Sequence, residues 1–186
     1  MAKPALSEIL IGAFAFFIEN GTPVEGTPVS STSKPDTDPT TNWTDHTIGD
    51  VLNCKFGEES VDLPYMKPLA SGGYARINKK MVVQDWVTLK TRQMGELIAR
   101  LQHGLSTVIT TGTAQTPGIA LDRKVEGWLR IQGRQLGGGD RFILDWWCEA
   151  RIEDTGEFNE NVVEPVLRFT QIKGVALNSV NYPVGS

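Results

Sequence analysis

"RFILDWWCEARIED", residues 141–154, alternates without a break. Phe142, Leu144, Trp146, Cys148, Ala150 and Ile152 fall on one side of an extended chain. Arg141, Ile143, Asp145, Trp147, Glu149, Arg151 and Glu153 fall on the other. A period of two belongs to a half-buried β-strand, with the first set as its core face. The second set mixes both signs of charge with a Trp and an Ile, so it is neither plain core nor plain solvent. Which surface it meets decides how the rest of the chain is read.

The neighbouring segments extend the same pattern. "KVEGWLRIQGRQ" (124–135) sets Val125, Gly127, Leu129, Ile131 and Gly133 against Glu126, Trp128, Arg130, Gln132 and Arg134, and "LGGGD" (136–140) supplies a turn between the two strands. Further back, "ARINKKMVVQDWVTL" (75–89) is a strand, preceded by short strands around 48–56 and 60–63. "MKPLASGGYARI" (66–77) reads as a Pro/Gly-punctuated connection between them. "PVLRFTQIKG" (165–174) is a last strand before a short tail, 175–186. One helix interrupts this series: in "TRQMGELIARLQHG" (91–104), Met94, Leu97, Ile98 and Leu101 recur at i, i+3, i+4 and i+7, a stripe that packs on a sheet. Thr91 stands where an N-cap is wanted and Gly104 where a helix ends. The expectation is a mainly-β fold, a β-sandwich or small barrel over 43–174, with one flanking helix at 92–103 and a long polar arm.

That arm is "GTPVEGTPVSSTSKPDTDPTTN" (21–42), nearly all Thr, Pro, Ser, Gly and Asp. Such a stretch cannot offset its own ordering entropy alone, so it either orders on a partner or stays a loose loop. Ahead of it, residues 1–20 begin with Lys3 and an apolar run, but Glu8 interrupts the run and no small-x-small cleavage site follows. An N-terminal strand or docking segment is expected there; the run is too short to span a bilayer as a helix, and no membrane partner is expected.

The chain has 186 residues, 40% apolar and 22% charged, enough for one domain with a sizeable core. The net charge of −4 gives no general basic footprint for nucleic acid. Cys54 and Cys148 have neither a second Cys nor a His at metal-ligand spacing, which excludes an ordinary zinc motif. A disulfide between them requires neighbouring strands; two buried thiols are the simpler expectation.

Little in the sequence points to catalysis. Walker loops, GxSxG elbows and HExxH helices are absent, and the "GGG" at 137–139 lies between two strands, not ahead of a helix. His46 and His103 have no nucleophile or carboxylate at a recognisable spacing. Asp145, Glu149 and Glu153 share a strand face with Arg141 and Arg151, which suits ion pairs better than an acid/base dyad. A single-strand nucleic-acid platform needs an excess of cations, and here the acids cancel most of them. No enzyme activity and no cofactor are expected. Aromatics beside Arg, as at Trp128, Arg130, Trp147 and Arg151, instead suit the composition of protein interfaces.

Three segments together resemble the tail tube (major tail) proteins of long-tailed bacteriophages. "NWTDHTIGDVLNCKFGEESVDLPY" is similar to the family's opening segment, a Trp and a Gly turn before short strands. "ARINKKMVVQDWVTLKTRQMGELIARLQHG" resembles its central strand running into a short amphipathic helix. "EGWLRIQGRQLGGGDRFILDWWCEARIEDTGEFNENVVEPVLRFTQIKG" resembles its closing hairpin and final strand. The resemblance covers residues 43 to 174 and rests on the order of parts, not on a strict signature. It implies hexameric rings stacked into a hollow tube, in the virion tail after synthesis in the host cytoplasm. The implied partners are copies of the chain itself, tape-measure, tail-tip and tail-terminator proteins, and DNA in transient, non-specific passage. Under it, Asp145, Glu149 and Glu153 face the lumen, while Arg141, Arg151, Trp128, Arg130 and Trp147 lie between subunits. Thr22, Pro23, Pro28, Pro35 and Asp36 belong to an inter-ring arm, with the 57–74 connection as a second clasp. The alternatives are a stand-alone β-sandwich binding module, or the inner tube of a contractile tail or a type VI-like secretion machine.

Overall fold

The computed structural model describes residues 10–35, 43, 46–92, 96–103, 123–135, 140–155 and 164–180. Among these residues nine strands run β1 (Leu10–Glu19), β2 (Pro23–Val24), β3 (Thr27–Pro28), β4 (Thr47–Pro68), β5 (Tyr74–Thr91), β6 (Lys124–Gln135), β7 (Asp140–Asp154), β8 (Val166–Gln171) and β9 (Ser179–Val180), with helix α1 (Glu96–His103) between β5 and β6. The protein is mainly β, with one helix among the described residues.

Six strands follow one another in the order β6-β1-β4-β5-β8-β7, every pair antiparallel, and β7 pairs back onto β6. The sheet therefore closes on itself as a barrel, which removes the free edges an open sheet must protect. The 15 residues of β7 make the closure possible. One edge pairs with β6 along most of its length, and the other is shared between β9 near Leu144 and β8 from Cys148 onward.

Alternation sorts the side chains into two cores. Ala15, Phe17, Val87, Leu89, Leu129, Ile131, Leu144, Trp146, Cys148, Ala150, Leu167 and Phe169 form the first, joined by Ile98 and Leu101 of α1 and by Ile48. Leu97 packs at its margin, while Met94 lies outside the described residues. Thr91, expected as an N-cap, is instead the last residue of β5: its amide donates to the Pro165 carbonyl at 3.2 Å, so it ends a strand. Arg100 of α1 makes a two-pronged pair with Glu19 at 2.5 and 2.9 Å, tying the helix to the end of β1.

The second core lies on the opposite face of β1, β6 and β7. Ile18, Trp128 and Trp147 meet Val29 and Trp43 there, with Phe16, Val24, Ile172 and Val175 around them. The polar arm is thus folded over much of its length. Glu25 and Gly26, at φ 49° and 79°, make the tight turn of a two-strand hairpin (β2–β3). Gly21 and Val29 close its base through a hydrogen bond of 2.8 Å. Val29 and Pro35 are buried. The sequence reading missed this because one Val and one Pro suffice once a large aromatic surface is already waiting for them. The tail also folds back, and β9 pairs with β7.

The 57–74 connection is not a loop. The short strands around 48–56 and 60–63 merge into the 22-residue β4, which pairs with β5, through two register shifts, as far as Pro68 and Tyr74. Pro64 and Pro68 sit on a stretch of β4 whose other edge has no partner beyond Val51 among the described residues, where a missing N–H is tolerated. Gly72 and Gly73, at φ 79° and 100°, turn the chain at the tip.

Candidate assembly surfaces

Arg130 and Asp145 face each other in register across β6 and β7. Arg130 Nε donates to Asp145 Oδ1 at 2.7 Å and Nη2 donates to Oδ2 at 2.6 Å, a forked pair with both residues at most 2% exposed. Lys34 of the arm donates to the same carboxylate at 3.0 Å, and the guanidinium stacks on Trp43 at 4.4 Å. Next to it, Trp128 meets Trp147 edge to face at 5.6 Å and donates through Nε1 to the Ser30 carbonyl at 2.8 Å. Asn178 accepts from the Trp147 amide at 2.7 Å. The Asp145 and Trp147 part of the mixed face of residues 141–154 thus meets the chain's own arm and tail.

Several expected placements are corrected by that packing. Asp145 does not line a lumen: its carboxylate is buried and fully engaged by two cations of its own subunit. Trp128, Arg130 and Trp147 are buried within the subunit and leave no surface for an inter-subunit contact. Pro35 is buried, Thr22 half-buried, and Pro23 and Pro28 exposed on the folded hairpin; Asp36 and the side chain of Arg141 lie outside the described residues.

The remaining members of β7 belong to another surface. Beyond the point where β7 passes β8, Glu149, Arg151 and Glu153 lie on the outer wall of the barrel. Register places Lys55, Thr88, Arg168, Arg151 and Lys124 in one transverse row across β4, β5, β8, β7 and β6. Directly opposed residues share a face, so the row sets Arg168, Arg151 and Lys124 side by side, with Thr88 between them and Lys55. Trp86 carries two cations of the row, with the Arg168 guanidinium at 4.7 Å and the Lys55 ammonium at 6.0 Å. Lys124 pairs with Glu149 at 2.9 Å, while Arg151 and Glu153 are exposed. At the edge of this wall Lys90 and then Arg92 hold the Glu164 carboxyl below its ordinary value. The middle of this wall is cationic, the reverse of a surface over which DNA slides freely.

Among the described residues the most exposed apolar surface is the distal part of the β4–β5 hairpin, a ribbon spanning about 58–83. After a bulge at Glu59/Ser60, the pairs Val61–Met81, Leu63–Lys79 and Tyr65–Ile77 stack on one face. Val61, Leu63, Tyr65 and Met81 are each close to half exposed. The other face carries Asp62–Lys80, Pro64–Asn78 and Met66–Arg76, with Lys80 also paired to Glu58, which raises the lysine's pKa. These ribbon residues were not singled out in the sequence. The signal was there, an alternation of Val61, Leu63 and Tyr65, but two prolines made it resemble a connection.

At the root of the ribbon the barrel mouth holds a pocket of about 520 Å³, lined by Phe56, Glu58, Asp85, Leu144, Trp146 and Val180 among others. Phe56 meets Trp146 edge to face at 6.3 Å. The indole Nε1 of Trp146 is buried and has no hydrogen-bond partner. Both cysteines are free: burial lifts the half-buried Cys54 to about 11 and raises Cys148 well above the ordinary value. Among the described residues no group of three His, Cys, Asp or Glu side chains could hold a metal ion. Among them also, no helix is long and apolar enough to cross a membrane. No protein-family model, curated protein or solved structure matches this chain.

Proposed function

We propose that this protein is a self-assembling structural subunit, and specifically a tail tube protein whose hexameric rings stack into the conduit for phage DNA. The observation that carries the reading is the ribbon. A two-stranded hairpin standing alone in water is marginal, and one with an apolar face is an open invitation to association. Its half-exposed apolar side chains each stand to gain roughly 1 kcal/mol on full burial. Among the described residues the body of the subunit offers that face nothing to pack on, whereas a neighbouring copy would.

The order of parts in the sequence supports the tube specifically, with tape-measure, tail-tip and terminator proteins as the further partners it implies. In this reading the ribbon takes over the clasp role expected of the 57–74 connection, and the folded arm becomes part of the subunit body. The outer wall with Arg151 and Lys124 is a contact face between copies. Glu149 and Glu153 sit too close to its cations to make an acidic lumen by themselves. Negative-stain electron microscopy of the purified chain at rising concentration tests the proposal. Rings or hollow tubes are the expected result. Compact monomers at every concentration, with a ribbon readily cut by protease, would instead favour a stand-alone binding module.

A further inference from the structure

We propose that two opposed arginines on the outer wall, Arg151 and Arg168, receive the Glu25 carboxylate of a second copy; the inference rests on the self-assembly reading and names one contact of that wall. Arg151 of β7 and Arg168 of β8 face each other directly in antiparallel register. Ala150, Leu167 and Phe169 beside them are buried in the barrel core, so alternation turns both arginines outward. Opposed side chains on one face start about 5 Å apart, and like charges at that spacing destabilise the strand pair. Arg168 is half-buried and held by its stack on Trp86, while Arg151 is exposed. Among the described residues neither forms an ion pair, although acids are near. Lys124 engages Glu149 at 2.9 Å, Lys90 and Arg92 engage Glu164, and Glu126 and Glu153 reach neither arginine. A carboxylate has acceptor sites enough to bridge both guanidiniums and would turn the repulsion into two charge-assisted hydrogen bonds.

Glu25 is the complement. It stands with Gly26 at the exposed apex of the β2–β3 hairpin, and among the described residues it is the one non-glycine with a positive φ, 49°. A two-residue turn of this kind asks for left-handed backbone at both positions, which Asn, Asp or Gly adopt with less strain than Glu. Glu25 forms no ion pair among the described residues. The hairpin is braced at its base by the Gly21–Val29 hydrogen bond and by Val29 in the second core, so the carboxylate is offered on a fixed turn. The acids of the ribbon are less available: Glu58 pairs with Lys80, and Asp62 lies opposite the same lysine. The fold thus carries two local violations of opposite charge, a repelling arginine pair and a strained, unpaired glutamate. Each copy offers one Glu25 and one arginine pair, which gives a head-to-tail contact that propagates.

Because each half of the contact is unfavourable in the isolated subunit, removing it should act oppositely on subunit and assembly. Glu25→Asn gives the turn a residue it prefers, and Arg151→Glu makes the like-charged pair an opposite one. In the full chain we expect either variant to melt at or above the wild-type temperature in dilute solution. The concentration needed for assembly, followed by light scattering and negative-stain microscopy, should nevertheless rise at least tenfold. Cross-linking locates the contact with all charges of the docking pair intact. In a Cys54→Ser background, one population carries Thr27→Cys and the other Glu153→Cys; a control pairs Thr27→Cys with Tyr74→Cys at the ribbon tip. In assembled material a short bis-maleimide should join the first combination at least tenfold more than the control. Charge variants that assemble like wild type, or equal cross-linking in both combinations, overturn the docking site while leaving self-assembly standing. Melting temperatures that fall in step with assembly assign the two residues to the subunit fold and overturn it as well. Wild-type protein that assembles at no concentration overturns both readings.

Discussion

Arg130 and Asp145, one on each strand of the β6–β7 hairpin, form a forked ion pair sealed from water by Trp43 and by the arm that brings in Lys34. Lys34 reaches the pair across 111 residues of sequence. Removing one partner strands the other in a place water cannot reach. We expect Asp145→Ala to cost about 3–5 kcal/mol. Replacing both residues, Arg130→Met with Asp145→Leu, should cost much less. Urea denaturation of the two variants decides it; equal losses would mean that packing around the pair, and not its charge, matters.

The arm is held by the same site, so it should resist protease in the isolated subunit. Trp128→Phe removes the donor to the Ser30 carbonyl, and Lys34→Met removes the third charge. Each should cost about 1–2 kcal/mol and expose residues 22–34 to limited proteolysis. If wild-type protein is cut there as fast as an unfolded control, the arm is not docked in solution.

Gly127 is a point of backbone contact. A Cβ at this position would overlap the Ile18 carbonyl and press on the Phe17 ring at 2.8 Å. Strand β1 cannot withdraw without breaking its register with β6, so we expect Gly127→Ala to destabilise by about 2–3 kcal/mol. Gly57→Ala meets the Trp86 ring instead, a side chain that can move outward, and should cost less. The order of the two melting temperatures tests the comparison.

Glu164 makes stability depend on pH in one direction. Lys90 and Arg92 depress its carboxyl in the folded state, so its contribution is fully present above the unfolded glutamate value of about 4.3 and fades as pH falls through the lower folded value. Glu164→Gln should therefore be less stable than wild type at neutral pH, converge with it at strongly acid pH, and so flatten the acid limb of a stability–pH curve. An acid limb identical to wild type would show that the two cations do not act on it.

Cys54 should be slow to alkylate. Its thiol stands at about 11 against an ordinary 9.0, so two pH units separate them and the thiolate near neutrality falls about 100-fold. Buried Cys148 should react only on unfolding. Rapid labelling of Cys54 under native conditions would show that β4 opens at that point.

Much of the β architecture was legible because alternation is a local property. The core faces of residues 124–135 and 141–154, the hairpin joining them and the apolar stripe through Leu97, Ile98 and Leu101 can all be read from spacing. The same spacing showed that Asp145 and Trp147 share a face. It could not show what covers that face, because the cover comes from Val29, Ser30, Lys34 and Trp43, more than 100 residues earlier. A segment too polar to build a core of its own was read as loose for the same reason.

The ribbon failed differently. Pro64 and Pro68 break a strand that must donate on both sides, and only the tertiary arrangement reveals that this stretch of β4 has one side without a partner among the described residues. What the sequence by itself determined is which residues share a strand face, since that follows from the two-residue repeat of any extended chain. Which faces are buried, which are joined by closure of the barrel, and which stand exposed in a ribbon depended on partners distant along the chain. Those long-range pairings leave no periodicity to read.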